Sequence, residues 1–277
     1  MVAFREAKSV SDVDILFLGS SHTYRAFDPR FFDELGWSSM NLGSTAQSPL
    51  NTYYMVTPLL DRLAPKVAVI DVYWLVLETT GVEGALDLAQ NLPASWAALR
   101  MTLATRDPRA LNQLVARFLE GQEALERRPV TLRPGDTYVG RGYVEKAADY
   151  KEFQEYRPRG VTISDRQLSY LRRVIEELRE RGSQVVLVVA PVPQEELQAT
   201  SNYEEIDARM ESWALEMGVA YIDFNKILRL DLQDHFFDNH HLNQEGVSRF
   251  LPVFYEEICR LGSWDRLGGS CSTERGL

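Results

Sequence analysis

Several features that would direct a reader to a function are scarce in this chain. Two cysteines, Cys259 and Cys271, in 277 residues leave no room for a disulfide framework or a cysteine-based zinc site. A reducing compartment fits that count, and so does export. Basic charge is in deficit, with 30 Lys and Arg against 40 Asp and Glu, a net charge of -10 and no Lys/Arg block. That argues against nucleic-acid partners, which need basic surface to neutralise phosphates. The longest apolar stretches, Val67 to Leu77 and Val185 to Val192, fall short of the roughly 20 residues that span a bilayer. No signal peptide is visible, although a chain cut behind an upstream anchor would read the same way. A phosphate-binding reading of Leu18 to Thr23 finds neither a G-x-G-x-x-G run nor a Walker lysine. What remains, at 45% hydrophobic and 25% charged residues, is an acidic globular protein whose function must come from its sites.

The apolar runs alternate with helical patterns. Ile15 to Leu18 reads as a buried strand stopping at Gly19 in a tight loop. Asp28-Pro29 starts a short helix ending at Gly36, and Ser39 to Leu42 is a second strand. Ser48-Pro49 opens a helix that Pro58 should bend and Pro65 ends. Val67 to Tyr73 is a near-continuous apolar strand, as expected when both faces are covered. The alternation resumes with a capping box at Ser164 to Gln167, a helix stopped by Gly182, and a strand from Gln184 to Ala190. A second capping box at Ser201 to Glu204 precedes another helix, a fifth strand from Val219 to Phe224, and a last helix capped by Asn243 and kinked at Pro252. This grammar predicts an α/β fold with a five-stranded parallel sheet flanked by helices. Residues 78–160 break it. They read as a helical insertion between the third and fourth strands, with helices at Gly84 to Gln90, Ser95 to Ala104 and Pro108 to Glu126, then a Gly-, Arg- and Tyr-rich loop. The insertion either shapes a binding site as a cap or covers a sheet face. The expected organisation is a single domain over 1–262, with 263–277 a flexible tail.

Two segments hold the polar groups of a nucleophilic hydrolase. Gly19-Ser20-Ser21-His22-Thr23 lies just past the first strand, at the sheet edge where open α/β folds place ligands. Phe236 to Gly246 follows the fifth strand and carries Asp238 and His241 three residues apart. Three of the four histidines, His235, His240 and His241, crowd there. A carboxylate beside an imidazole can fix its tautomer and stabilise the imidazolium. Each residue also has a plainer reading: Ser21 as a turn former, Asp238 as a helix cap, His241 as a partly buried histidine. A metal-ligand reading of Asp238, His240 and His241 is disfavoured, because adjacent histidines point apart and no further ligand cluster is evident.

Taken together these blocks resemble the SGNH/GDSL hydrolase superfamily. Gly19-Ser20-Ser21 matches its Gly-Asp-Ser block, with Ser21 at the nucleophile position and Ser20 in place of the aspartate. Asp238-Asn239-His240-His241 matches its Asp-x-x-His block, and Leu242, Asn243 and Gly246 fit the usual continuation. The resemblance covers 12–77 and 164–261 and implies a three-layer flavodoxin-like sheet. It also implies a Ser21–His241–Asp238 triad and an oxyanion hole from the N–H groups of Ser21 and Gly43. The family's third block supplies an asparagine to that hole; Val69 to Val76 has none, and Gln47 or the Ser44 N–H would have to substitute. The missing asparagine and the Gly-Ser-Ser form resemble the branch with teichoic-acid D-alanine transfer and polysaccharide O-acetylation proteins. That branch implies a short acyl ester or envelope glycan as substrate, no cofactor, and membrane association through a segment upstream of Met1. His22, Arg25, Tyr73 and Trp74 are the candidate substrate-side residues, with His22 as a pocket wall. The plainer readings, an ion pair of Arg25 with Asp28 and core or sheet-edge positions for Tyr73 and Trp74, are favoured for those three. The compartment, cytoplasmic or at the envelope outside the membrane, stays open. The competing expectation is a non-catalytic module that holds a glycan or a partner protein in the same cleft.

Overall fold

The structure is a computed structural model and describes residues 2–92, 95–121, 132–262 and Leu267. Five parallel strands form its centre: β1 (Ile15–Leu18), β2 (Ser39–Asn41), β3 (Val67–Asp71), β6 (Gln184–Val189) and β7 (Ala220–Asp223), in the order β2-β1-β3-β6-β7. β1 pairs with both β2 and β3, as Ile15 with Ser39 and with Val67. This is the flavodoxin-like order, in which the chain reverses direction between β1 and β3 and opens a crevice at the C-terminal ends of those strands.

Period-two alternation sorts the strand residues onto two faces. Leu16, Leu18, Ile70, Leu187 and Val189 bury against helices Pro49–Val56, Asp165–Glu180 and Tyr203–Met217. Phe17, Val69, Val186 and Val188 face helices Ser21–Ala26, Pro29–Glu34 and Gln244–Arg260. On that second face the rings of Phe17 and Phe27 stack at 4.3 Å, and Phe254 closes over them. Pro58 does bend its helix: Thr57–Leu59 is a 3-10 turn, followed by a short helical turn over Leu60–Leu63.

The first strand ends differently from expectation. Gly19 is followed by a helix, Ser21–Ala26, capped by the Ser20 side chain, which accepts from His22 N–H at 3.3 Å. Gly19 has φ +142°, and a Cβ there would stand 2.3 Å from Thr23 Oγ1 and 2.9 Å from the Asp71 carbonyl. Only glycine lets the chain turn this tightly over β3. The two capping boxes also fail to form. Gln167 is pulled inward instead, accepting from Leu50 N–H and donating to Thr79 O, and Ser201 donates to Arg159 O.

The insertion is only partly helical. Helices Val82–Asn91, Trp96–Thr105 and Pro108–Glu120 bury Leu88, Met101 and Leu114 in the first core, so this part thickens the helix layer on that face of the sheet. The Gly-rich stretch read as a loop is an antiparallel hairpin, β4 (Asp136–Gly140) with β5 (Tyr143–Lys146), and Tyr143 enters the second core on the opposite face. Its turn residues, Arg141 and Gly142, both have positive φ, the twist that two-residue hairpins require. A Cβ on Gly142 would fall 1.9 Å from the Asn41 carbonyl. Gly142→Ala should therefore lift the hairpin from β2 and lower stability by about 2 kcal/mol. A melting temperature within 1 °C of wild type would contradict this.

The expected end of the third insertion helix, beyond residue 121, lies outside the described residues, as does Cys271. So does the tail, apart from Leu267, which is buried against the second core. Among the described residues no helix is long and apolar enough to cross a membrane.

Candidate active site

Three chain segments converge at the C-terminal edge of the sheet. Ser21 opens its helix immediately past β1. The loop after β7 brings Phe236 to His241 across to it, anchored at its far end by Asn243, whose side chain accepts from Gly246 N–H at 2.9 Å. Asp238 organises this loop. Its Oδ1 accepts from the backbone N–H groups of His240 and His241, at 3.0 and 2.8 Å. Its Oδ2 lies 2.8 Å from His241 Nδ1, and His241 Nε2 lies 2.8 Å from Ser21 Oγ. Because the carboxylate can only accept, Nδ1 carries the ring proton, and the Nε2 lone pair faces the serine hydroxyl.

The electrostatics follow from burial and neighbours. Burial, the adjacent His240 and Arg25 together outweigh the Asp238 bond and hold the His241 imidazole down to about 4. Burial alone would raise the Asp238 carboxyl; its hydrogen bond to His241 and the charges of both histidines hold it well below the usual range. The pair is thus a neutral base oriented by an anion across the neutral pH range.

The other expected residues are placed less simply. His22 is buried, its ring 3.8 Å from that of Tyr73 and 4.9 Å from that of His241, so it forms a wall behind the base. Burial, then His241 and His240, hold it neutral, its titration well below the ordinary histidine range. Tyr73 is a second layer: it is buried under His22 and its hydroxyl donates to Glu196 at 3.1 Å. Trp74 is a correction. It is 2% exposed, wedged between Tyr73 and Tyr203, and cannot meet a substrate. Arg25 is another. It is 4% exposed and binds Asp136 of β4 through both terminal nitrogens, at 2.8 and 2.9 Å, so its fork is filled from within the chain.

The expected oxyanion donors are engaged within the chain. The Gly43 N–H, next to the nucleophile turn, donates to Asn41 Oδ1 at 3.0 Å, and Asn41 in turn donates to Thr23 O. Gln47 spends both ends of its amide, accepting from Ser44 Oγ at 2.7 Å and donating to Thr52 Oγ1 at 3.0 Å. The Ser44 N–H reaches Gly19 O at 3.4 Å. Polar side chains compete with substrate for donors the motif spacing leaves open. The Ser21 N–H, in the first turn of its helix, has no intrahelical acceptor.

Among the described residues, Asp238, His240 and His241 could chelate an ion, with one donor atom from each within 4.8 Å of the others. The Asp238–His241–Ser21 chain already uses Asp238 Oδ2 and both His241 nitrogens, so chelation would dismantle it.

Residues with no individual sequence signal complete the site. The segment after β5 straps across the histidine loop. Lys151 Nζ donates to Phe236 O at 3.0 Å, Glu152 N–H to Phe237 O at 2.7 Å, and Gln154 N–H to Asn239 Oδ1 at 2.7 Å. Tyr156 adds its hydroxyl to Asn239 O at 2.9 Å.

Comparison with protein families and with curated proteins finds no match. Among solved structures, the chain is similar to a presumed acylhydrolase from Bacteroides fragilis, at 12% identity over 93% of this chain and 94% of that one, with a TM-score of 0.48. It is also similar to a GDSL-like lipase from Bacteroides thetaiotaomicron, at 12% identity over 93% and 95%, with a TM-score of 0.47. An extracellular lipase from Streptomyces rimosus aligns at 12% identity over 88% and 99%, with a TM-score of 0.39. In its own motifs and sheet order, the chain shares with the SGNH/GDSL hydrolase superfamily the Gly-x-Ser and Asp-x-x-His blocks and a flavodoxin-like sheet.

Proposed function

We propose that the chain is a serine esterase or acyltransferase of SGNH type acting on short acyl esters. The observation that carries this reading is the continuous contact from Asp238 Oδ2 through both nitrogens of His241 to Ser21 Oγ, each link 2.8 Å. In the proposed reaction His241 Nε2 takes the Ser21 proton as Oγ attacks the ester carbonyl. The tetrahedral oxyanion is held by the Ser21 N–H and, once Asn41 yields it, by the Gly43 N–H. Collapse expels the alcohol, which receives the proton from His241, and leaves an acyl-serine. Water or a sugar hydroxyl, deprotonated by the same imidazole, then takes the acyl group. A cell-envelope glycan as acyl donor or acceptor rests on the motif resemblance alone.

The second reading, a binding module on this scaffold, is favoured by one observation: Asn41 holds the Gly43 N–H and Gln47 is fully engaged. A fluorophosphonate probe separates the two. Stoichiometric labelling of wild type, lost in folded Ser21→Ala, supports the enzyme, whereas no labelling of folded wild type supports the module.

A further inference from the structure

The inserted hairpin carries a group that the proposed reaction does not use. Asp136, at the start of β4, has a side chain only 4% exposed and receives two buried cations. Arg25 binds it through both terminal nitrogens, and Lys146 of β5 donates to Oδ1 at 2.8 Å. Two backbone carbonyls complete the cluster: Val144 O accepts from Arg25 at 3.2 Å and Pro134 O from Lys146 at 2.6 Å. One carboxylate against two cations leaves one positive charge in excess, in a place where burial makes charge expensive. Packing does not require that charge, since methionine would fill the volume of a buried lysine stem.

Both cations sit over one ring. Arg25 lies 5.1 Å and Lys146 4.8 Å from the centre of Phe237, within the range in which an aromatic face attracts a cation. Phe237 in turn is nearly parallel to His241, at 7° with 5.5 Å between ring centres. Arg25 stands four residues after Ser21 on the same helix, and Phe237 immediately precedes Asp238. The cluster thus ties the nucleophile helix, the inserted hairpin and the histidine loop at one point.

We infer that the Arg25–Asp136–Lys146 cluster of the inserted hairpin positions His241 through Phe237 and, by its excess positive charge, keeps that imidazole neutral for proton abstraction. The inference rests on the esterase reading of the site. Arg25, Asp136, Lys146 and Phe237 are positioning residues, since none of them touches Ser21 Oγ. The charged and titratable groups acting on His241 are Asp238 and His240 from its own loop and Arg25 from the nucleophile helix, with the His22 ring 4.9 Å away. Lys146 and Asp136 of the hairpin lie on the other side of Phe237, and Lys151 and Glu152 of the strap bond the loop at Phe236 O and Phe237 O. Tyr73 stands behind His22, and Tyr156 of the strap stands above Asn239. Within the loop and the cluster, Asp238 and Asp136 are the anions and Arg25 and Lys146 the cations. Asp136 is neutralised within its cluster, so removing one cation leaves Asp238 less opposed.

The test is the pH dependence of p-nitrophenyl acetate hydrolysis by the full chain from pH 3.5 to 8. Lys146→Met removes one cation and leaves the Arg25–Asp136 pair balanced. The acid limb of its kcat/KM profile should move up by about one pH unit, because the imidazolium is no longer opposed. Lys146→Arg should return the limb to its wild-type position. Phe237→Leu should lower kcat about tenfold with KM within about twofold, because ring orientation is lost while the pocket is kept. Circular dichroism establishes that each variant is folded. Titration of the His241 ring by NMR, assigned by its loss in His241→Gln, should show the same displacement without reference to turnover. Unmoved limbs and ring titrations in folded Lys146→Met, with full kcat in Phe237→Leu, would overturn the inference while Ser21-dependent turnover persisted. Wild-type turnover in Ser21→Ala would instead remove the esterase reading, and the ring titration would still decide whether the cluster acts on His241.

Discussion

Replacing His241 by alanine is expected to lower kcat for an acyl ester by about 10⁴–10⁶-fold while KM changes little. A serine hydroxyl is a weak nucleophile unless its proton leaves as the carbonyl is attacked, and Nε2, at 2.8 Å, is placed to take it. The groups that would bind the ester are not removed, so the loss falls on the transition state. Ser21 and His241 act as one unit, so the double variant should be no slower than either single one. Asp238→Asn should cost about 10⁴-fold for a different reason. An asparagine oxygen can still accept from the His240 and His241 N–H groups, but its NH₂ would face Nδ1. That forces the proton onto Nε2 and turns the base into a donor toward Ser21. Steady-state kinetics on Ser21→Ala, His241→Ala, their double variant and Asp238→Asn decide the matter. A loss below tenfold in His241→Ala, or multiplicative losses in the double variant, would mean that the contact is structural.

The acidic limb carries a sign that follows from the same geometry. The base works only when neutral, and burial, His240 and Arg25 hold its imidazole down to about 4. Activity should therefore rise with pH through that value and stay level to neutrality, where an unperturbed histidine would still be half protonated near 6.5.

Much of the fold was legible because burial on both faces writes itself into strand composition. Ile15 to Leu18, Val67 to Asp71 and Gln184 to Val189 are apolar runs bounded by Gly, Pro or polar residues, and all three are strands where expected. The meeting of Ser21, Asp238 and His241 was legible from motif order, since strand ends of a parallel sheet share one edge. Three things were not. The helix Ser21–Ala26 is six residues with no apolar period, held by one serine cap and by its neighbours. The hairpin turns through Arg141-Gly142, which lacks the Asn-Gly or Asp-Gly signature. The partners of Arg25 and Gly43 are set by side chains that compete for the same donors and acceptors. Asp136 lies 111 residues from Arg25, and no spacing rule connects them. The Asn41 amide that captures the Gly43 N–H is local, yet Asn41 reads in sequence only as the end of a strand.

A second large effect is expected at Asp71, the last residue of β3, whose backbone carries the Gly19 turn. Its carboxyl is buried at 3% exposure. Oδ1 accepts from Ala190 N–H at 3.0 Å. Burial pushes this carboxyl up to about 7, against the partial relief of the Ala190 and Tyr73 N–H groups. In the unfolded chain an aspartate ionises near 3.9. At low pH both states hold the proton, and Asp71 costs nothing extra. Between about 4 and 7 the unfolded state loses its proton while the native state keeps it, so stability falls as pH rises through that window and levels off above it. The accumulated cost is roughly 4 kcal/mol, from about 1.4 kcal/mol per pH unit. Asp71→Asn keeps the acceptor for Ala190 and has nothing to ionise. It should be slightly weaker than wild type at pH 4, and more stable by roughly 3 kcal/mol at pH 8, allowing for the buried N–H groups of its amide. For a chain of this size that is a rise in melting temperature of the order of 10 °C. Urea unfolding of both proteins at pH 4, 6 and 8 measures the difference directly. A gap between variant and wild type that does not grow with pH would mean that Asp71 is already ionised in the folded protein.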